Sequence, residues 1–379
     1  MTALHGRSPA HVAVTHRRAY LDNLKVALVV GVIVAHAVIA WTPFGVWVLR
    51  EPSVREPLLS MLELTLLVGA LLGLAPFFVI AGELTPGSLA RKGVRRFISD
   101  RALRLGAPMV FFVVVFSPFV EYVDTDNVGW NRGFWAFTLE IWWPPAPGPT
   151  WFLGVLLLFS VVYALARAVI PRRAERMILR VRHLVVAGAL LVLATCLVRL
   201  VVPFGEEHYR LALGQAPAWV VAFALGVAAG ERGWFDPVPP AVARVCRRTT
   251  VGAVGAVVAL AVVVTATGSD LDPYGGGGTW QSFVLAVMEA GLVIGGSVWL
   301  VDVFRRRYDH QGSLARGLSR AAYGAFLVHQ VVLVACVLAT RAVPWPPEVE
   351  FLVATTLAVA GSFGIATLLT RIPVVSRIV

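Results

Sequence analysis

The sequence predicts an all-α, polytopic transmembrane bundle of about 10 spans with both termini cytoplasmic, and three observations predict it. First, 58% of the 379 residues are hydrophobic and only 15% are charged, with a mean hydropathy of +0.77. A soluble chain carries about a quarter charged residues. Second, apolar stretches long enough to cross a bilayer recur from end to end. Third, the charges sort by side. Alternate numbering of the connections from an inner N-terminus places 27 of the 33 basic residues inside and 13 of the 22 acidic residues outside. One missed span would invert every later loop, so this asymmetry supports the count.

Each element has its own grounds. Residues 1–20 read as a polar cytoplasmic tail with Arg7, Arg17 and Arg18, and residues 21–379 as a single transmembrane domain with no appended soluble domain. The first stretch, 25–41, holds Lys25 and, 11 residues on, His36. With Lys25 snorkelling at the inner boundary, a rise of ~1.5 Å per residue puts His36 ~16 Å deeper, near the middle of the hydrocarbon layer. No small-residue cleavage site comes after it and nine more spans do, so a signal peptide is disfavoured. Stretch 64–82 leads into a basic inner segment, Arg91 to Arg104, with six cations in fourteen residues. Stretch 105–122 rises to the longest outer loop, from about Tyr122 to Pro149, and 150–170 opens on Trp151. Stretches 183–203, 215–230 and 249–267 are joined by inner arginines (Arg232, Arg244, Arg247, Arg248) and outer acids (Glu206, Glu207, Asp270, Asp272). Gly275 to Gly278 reads as a flexible outer loop, because it neither succeeds a strand nor opens a P-loop. Stretches 280–301, 321–340 and 350–370 complete the set, with Glu289 and His329 in mid-span.

The net charge of +11 is thus topological and implies no nucleic-acid partner. Cys196, Cys246 and Cys336 give neither a disulfide framework nor metal-ligand spacing, so no metal is expected. Ionisable groups at depth are costly and mark function. His36, Glu289 and His329 are the deep ones. A neutral imidazole accepts a proton from a hydroxyl and suits a general base, while a structural histidine hydrogen-bonds across helices. Glu289 can orient a histidine or pair with an arginine. Arg101 and Arg104, at i and i+3, share a helix face and suit phosphate oxygens. Proton relays in transporters use the same deep residues, so a transporter or flippase of a lipid-linked or small polar substrate is the alternative class. It requires interrupted helices at matching positions of two halves, and these are not evident.

Leu21-Asp22-Asn23-Leu24-Lys25 together with the later His36 resembles the first-helix signature of the acyltransferase-3 family, bacterial membrane acyltransferases of envelope glycans and related acceptors. Arg101 and Arg104 match that family's Arg-x-x-Arg. Phe77-Phe78-Val79-Ile80-Ala81-Gly82 is similar to its Phe-Phe-x-x-Ser-Gly, with Ala81 in place of serine. Arg104-Leu105-Gly106-Ala107-Pro108 resembles its Arg-Leu-x-x-Pro, and Trp151-Phe152-Leu153 its Trp-Phe-Leu segment. Tyr323-Gly324-Ala325-Phe326-Leu327-Val328-His329 resembles its Tyr-x-x-Tyr-x-x-His, with Phe326 replacing the second tyrosine. The matches keep the family's order and cover most of the chain.

The resemblance implies transfer of an acyl group, commonly acetyl from acetyl-CoA, to a hydroxyl of a sugar, glycolipid or other envelope acceptor at the inner membrane. It implies His36 as the catalytic residue and Arg101 and Arg104 as donor-binding. Lys25 joins them as a candidate for donor phosphate. Asp22, Trp151, Glu289, Tyr323 and His329 are supporting candidates; Trp151 either lines the acceptor cavity or, as tryptophans more often do, serves as an interfacial anchor or packing residue. The donor is expected as a cosubstrate, with no tightly bound cofactor.

Overall fold

An apolar slab offers the backbone no external hydrogen-bond partner, so each spanning stretch must satisfy its own peptide groups as a helix. The computed structural model describes residues 18–43, 48–123, 130–140, 145–170, 175–208, 211–373 and 375, and most of the expected tail 1–20 lies outside them. Within these residues ten helices are long and apolar enough to cross a membrane. They are α1 (Ala19–Ala40), α2 (Leu58–Lys92), α3 (Val94–Val123), α4 (Gly148–Val169), α5 (Val181–Val198), α6 (Leu213–Arg232), α7 (Pro240–Thr267), α8 (Trp280–Arg307), α9 (Ser313–Thr340) and α10 (Pro347–Leu369). Each contains or overlaps one predicted stretch. No strand occurs among the described residues beyond an isolated bridge between His208 and Leu211.

Three departures from the sequence reading have local causes. Helix α2 is interrupted: Leu58–Leu72 ends at Gly73, whose φ of 53° stops the first segment, and Ala75–Lys92 restarts with Pro76 in its first turn. The basic segment from Arg91 to Arg104 is mostly helix, because α2 and α3 are joined through the single residue Gly93 at φ 70°. Helix α3 then takes up π-helical turns at Ala102–Gly106 and Phe112–Phe116, and α8 another at Gly291–Gly296. The α2 break has no counterpart among the described residues of the other spans, since α3 and α8 run on through their π turns.

The bundle is sorted by burial. In α8 and α9, 67% and 61% of the apolar window is buried, against 11% in α7, so α8 and α9 form the centre and α7 presents its apolar side chains outward. Helix α1 packs against α9, α8 and α10, and α9 lies along α10. The second half of α2 lies along α6 at backbone contact. A Cβ at Gly226 would fall on the Val79 carbonyl oxygen, one at Gly230 on the Glu83 carbonyl oxygen, and one at Gly82 on the Phe223 carbonyl oxygen. Small residues of this kind let helices approach closely where lipid supplies no hydrophobic drive between them. The Gly82 of the Phe-Phe block is therefore a packing glycine.

Near the start of α1, Arg18 pairs with Glu83 of α2 and, at 2.9 Å, with Asp236 after α6, and Asp236 also takes Arg305 of α8 at 2.9 Å. This network ties four segments together around the end of the bundle that carries Lys25.

The seam yields a prediction with a sign. Replacing an exposed helical glycine by alanine gains up to ~1 kcal/mol of helix propensity, whereas a clashing methyl costs about 1–3 kcal/mol. Gly226→Ala is therefore expected to lower the melting temperature of the detergent-solubilised protein. Gly252→Ala, where a Cβ meets nothing within 4 Å, is expected to leave it equal or higher. Equal melting of the two variants would contradict the seam.

Candidate functional site

Helices α1, α2, α3, α4, α9 and α10 enclose a cavity of about 870 Å³. At one end stand Asp22 and Lys25 of α1, Arg101 and Arg104 of α3, Arg320 and Tyr323 of α9, and Arg371 just after α10. Five cations and one carboxylate give this end a strongly positive field. The walls are apolar: Val29, Ile80, Ala81, Leu84, Leu105, Leu153 and Leu156. The predicted donor residues Lys25, Arg101 and Arg104 are thus brought to one place by the first turns of α1 and the start of α3.

Each of the three is held by its own helix or its neighbour. Lys25 Nζ lies 3.4 Å from Asp22 Oδ1, and Arg104 Nε 3.5 Å from Asp100 Oδ1. Arg101 sits over the Phe97 ring at 5.3 Å and reaches Thr85 Oγ1 at 3.5 Å. The π turn matters here: pairing each residue with the fifth one on adds a residue to the turn and re-aims the side chains beyond Arg101. Within that turn the Arg104 carbonyl accepts a hydrogen bond from the Tyr323 hydroxyl, which fastens α9 to α3 across the cavity. Tyr323 is therefore a strut of the cavity wall, and Asp22 a partner of Lys25.

Three rings, Phe77, Phe152 and Phe326, also line the cavity. Their centroids are 5.8 Å (Phe77–Phe152), 5.9 Å (Phe152–Phe326) and 6.4 Å (Phe77–Phe326) apart, so they form a closed triangle. Phe326 stands 5.6 Å from the His329 ring, and His329 stands 5.0 Å from the His36 ring at a 60° tilt. The two histidines, from α1 and α9, are the pair at the far side of the triangle. His36 does not line the cavity itself.

Both imidazoles are tied by Nδ1 to their own helix. His36 Nδ1 is 2.8 Å from the Val32 carbonyl and His329 Nδ1 is 2.6 Å from the Phe326 carbonyl. A carbonyl only accepts, so Nδ1 carries the hydrogen in each ring and Nε2 presents the lone pair. His329 Nε2 is buried and has no hydrogen-bond partner among the described residues. The arrangement therefore offers unprotonated nitrogen where a hydroxyl can donate.

Two predicted residues lie elsewhere. Glu289 Oε2 meets Arg199 NH2 at 2.7 Å, both fully buried, and the Arg199 Nε also donates to the Gly214 carbonyl at 3.2 Å. Of the two roles considered for Glu289, the ion pair is the one present. Arg199 caps the end of α5, which closes at Val198 instead of the predicted 203, ahead of Pro203. Trp151 packs on Trp219 of α6 with centroids 4.6 Å apart and is not among the residues that line this donor-side cavity. The aromatic triangle, Arg320 and Arg371 were not singled out by sequence. Arg320 precedes Tyr323 by three positions, a same-face spacing that a helical reading of α9 contains. No group of three or more His, Cys, Asp or Glu suited to a metal occurs among the described residues.

A structural role for Glu289 has its own signature. Removing one partner of a buried pair strands the other charge, at a cost of about 3–5 kcal/mol, while replacing both is near neutral. Glu289→Ala is expected to lose folded protein in size-exclusion chromatography, and Glu289→Leu with Arg199→Met to restore it. Well-folded but inactive Glu289→Ala would assign the residue to chemistry instead.

Neither a curated protein nor a solved structure matches the chain. The family model described as an acyltransferase domain (acyltransferase 3) matches residues 18–371, from the first described residue to the arginine that closes the cavity mouth. The chain belongs to the acyltransferase-3 family and is a helical membrane protein of that family.

Proposed function

We propose that this protein moves an acetyl group from cytoplasmic acetyl-CoA to a hydroxyl of an envelope-associated sugar or glycolipid, with His36 as general base. The observation that carries the reading is the contiguous series of cationic mouth, apolar shaft, aromatic triangle and paired imidazoles. A polyanionic nucleotide suits the mouth, where Lys25, Arg101 and Arg104 stand. Its long uncharged thioester arm suits the apolar shaft. His36 lies ~16 Å along α1 from Lys25, a depth that an arm of this kind spans. The excess of arginines on the Lys25 side supports an inner-membrane orientation with this mouth and both termini facing the cytoplasm.

The tautomer sets the chemistry. His36 Nε2 takes the proton of the acceptor hydroxyl as its oxygen attacks the thioester carbonyl. The tetrahedral intermediate collapses, the C–S bond breaks, and the CoA thiolate recovers the proton from the imidazolium. Nδ1–H on the Val32 carbonyl holds the ring through both steps and favours the transient cation. The apolar walls of the shaft and the buried His329 limit the water that could compete for the thioester. The transporter alternative is not favoured, since the single break in α2 lacks a partner in the second half of the described residues.

Purified protein in nanodiscs, given radiolabelled acetyl-CoA and an envelope extract, is expected to transfer label to the extract. His36→Ala is expected to lose about 10²–10⁴-fold in rate with donor binding intact. Arg101→Ala with Arg104→Ala is expected to lose donor binding. Well-folded wild type that binds no acyl-CoA would sink the donor assignment, and label retained on wild-type His36 before acceptor is added would replace direct transfer by an acyl-histidine intermediate.

A further inference from the structure

Among the described residues, two of the five cations at the mouth are held by nothing. Lys25 and Arg104 face carboxylates and Arg101 is stacked on Phe97. Arg320 and Arg371 line the same cavity, and among the described residues neither guanidinium has a carboxylate or hydrogen-bond partner. Their placement is set by the fold. Helices α9 and α10 are antiparallel neighbours joined at residues 341–346, and the two arginines lie some 20 and 24 residues down the helices from that connection. At ~1.5 Å per residue both come to the same end of the bundle. Arg320 is also one turn from Tyr323, whose hydroxyl reaches the Arg104 carbonyl, so this end of α9 stands across from α3.

Resting on the acyl-CoA reading, we infer that Arg320 and Arg371 form a second phosphate subsite that takes the 3′-phosphate of the donor nucleotide, apart from the Arg101 and Arg104 subsite for its diphosphate. Number and position both point this way. A donor thioester carried on a protein through phosphopantetheine presents a single phosphodiester, for which one arginine pair suffices. Free CoA presents two anionic groups separated by a ribose, and two pairs of forked donors on different helices match that distribution. Arg320 and Arg371 are both exposed, so on taking an oxyanion they give up water but no internal partner, and their attraction is screened by salt. The same surplus selects against the protein-bound donor, whose attached partner protein offers no phosphate to Arg320 and Arg371.

Calorimetric titration of the full chain in nanodiscs with CoA and with 3′-dephospho-CoA tests this. Wild type is expected to prefer CoA by about tenfold to a hundredfold. In Arg320→Ala with Arg371→Ala, that preference is expected to shrink to about twofold or less, through loss of CoA affinity while dephospho-CoA binding is unchanged. The retained dephospho-CoA binding is also the check on folding. Arg101→Ala with Arg104→Ala is expected to weaken both ligands together. Equal weakening of both ligands in the Arg320 and Arg371 variant, as a general surface field would give, overturns the subsite. So does a wild type that binds the two ligands equally, or a preference that survives the double substitution. A wild type that binds neither ligand overturns the acyl-CoA reading itself.

Discussion

The site depends on one constraint: an imidazole inside an apolar bundle has no water to bind, so the protein must supply a partner for its N–H. Here each of the two histidines finds that partner in its own helix, Val32 for His36 and Phe326 for His329. The solution is local, so it survives without any third side chain, and it settles the tautomer of both rings by the same rule. Which nitrogen keeps its lone pair is decided there. Had either ring bonded a carboxylate through Nδ1, its basicity would differ, and had the carbonyl met Nε2, the lone pair would face the helix.

Around that pair the helices are placed by contacts of very different kinds. The α2–α6 seam works by absence of side chains, with Gly82, Gly226 and Gly230 set against carbonyl oxygens. The α5–α8 contact works by a buried guanidinium and carboxylate, Arg199 and Glu289. The α3–α9 contact rests on one phenol, Tyr323, donating to a carbonyl inside a π turn. Only the last of these belongs to the cavity, and it joins the helix of the Arg-x-x-Arg arginines to the helix of His329.

Much of this was legible in the sequence. Ten spans could be read because length and hydropathy are properties of segments, and the bilayer demands them directly. His36, His329, Arg101 and Arg104 could be read because charge at depth, or paired on a face, is rare. The features that could not be read depend on backbone phase or on neighbours. The break at Gly73 lies inside an apolar run, where a glycine with a proline three positions on does not by itself tell a broken helix from a continuous one. The π turns shift phase without changing residue type. The packing of Trp151 on Trp219, which is 68 positions later, could not be read either, because a ring contact between distant helices leaves no local pattern. Arg320 and Arg371 looked like ordinary inner-side arginines, since a loop charge and a cavity charge are the same letter. The Glu289 partner was open for a related reason: Arg199 lies 90 positions away on another helix, and only the packing of α5 on α8 brings the two together.

The triangle of Phe77, Phe152 and Phe326 has an electrical consequence. A membrane that stores an ion gradient tolerates a water-filled recess on one side, but not a recess that meets another from the opposite side, because a continuous wet path conducts. Three apposed rings keep a low-dielectric layer between the charged recess and the imidazoles, and a charge crossing such a layer meets a steep self-energy barrier. The partition thus lets one side of the protein carry a recess with five cations at its mouth while the layer beyond it remains an insulator.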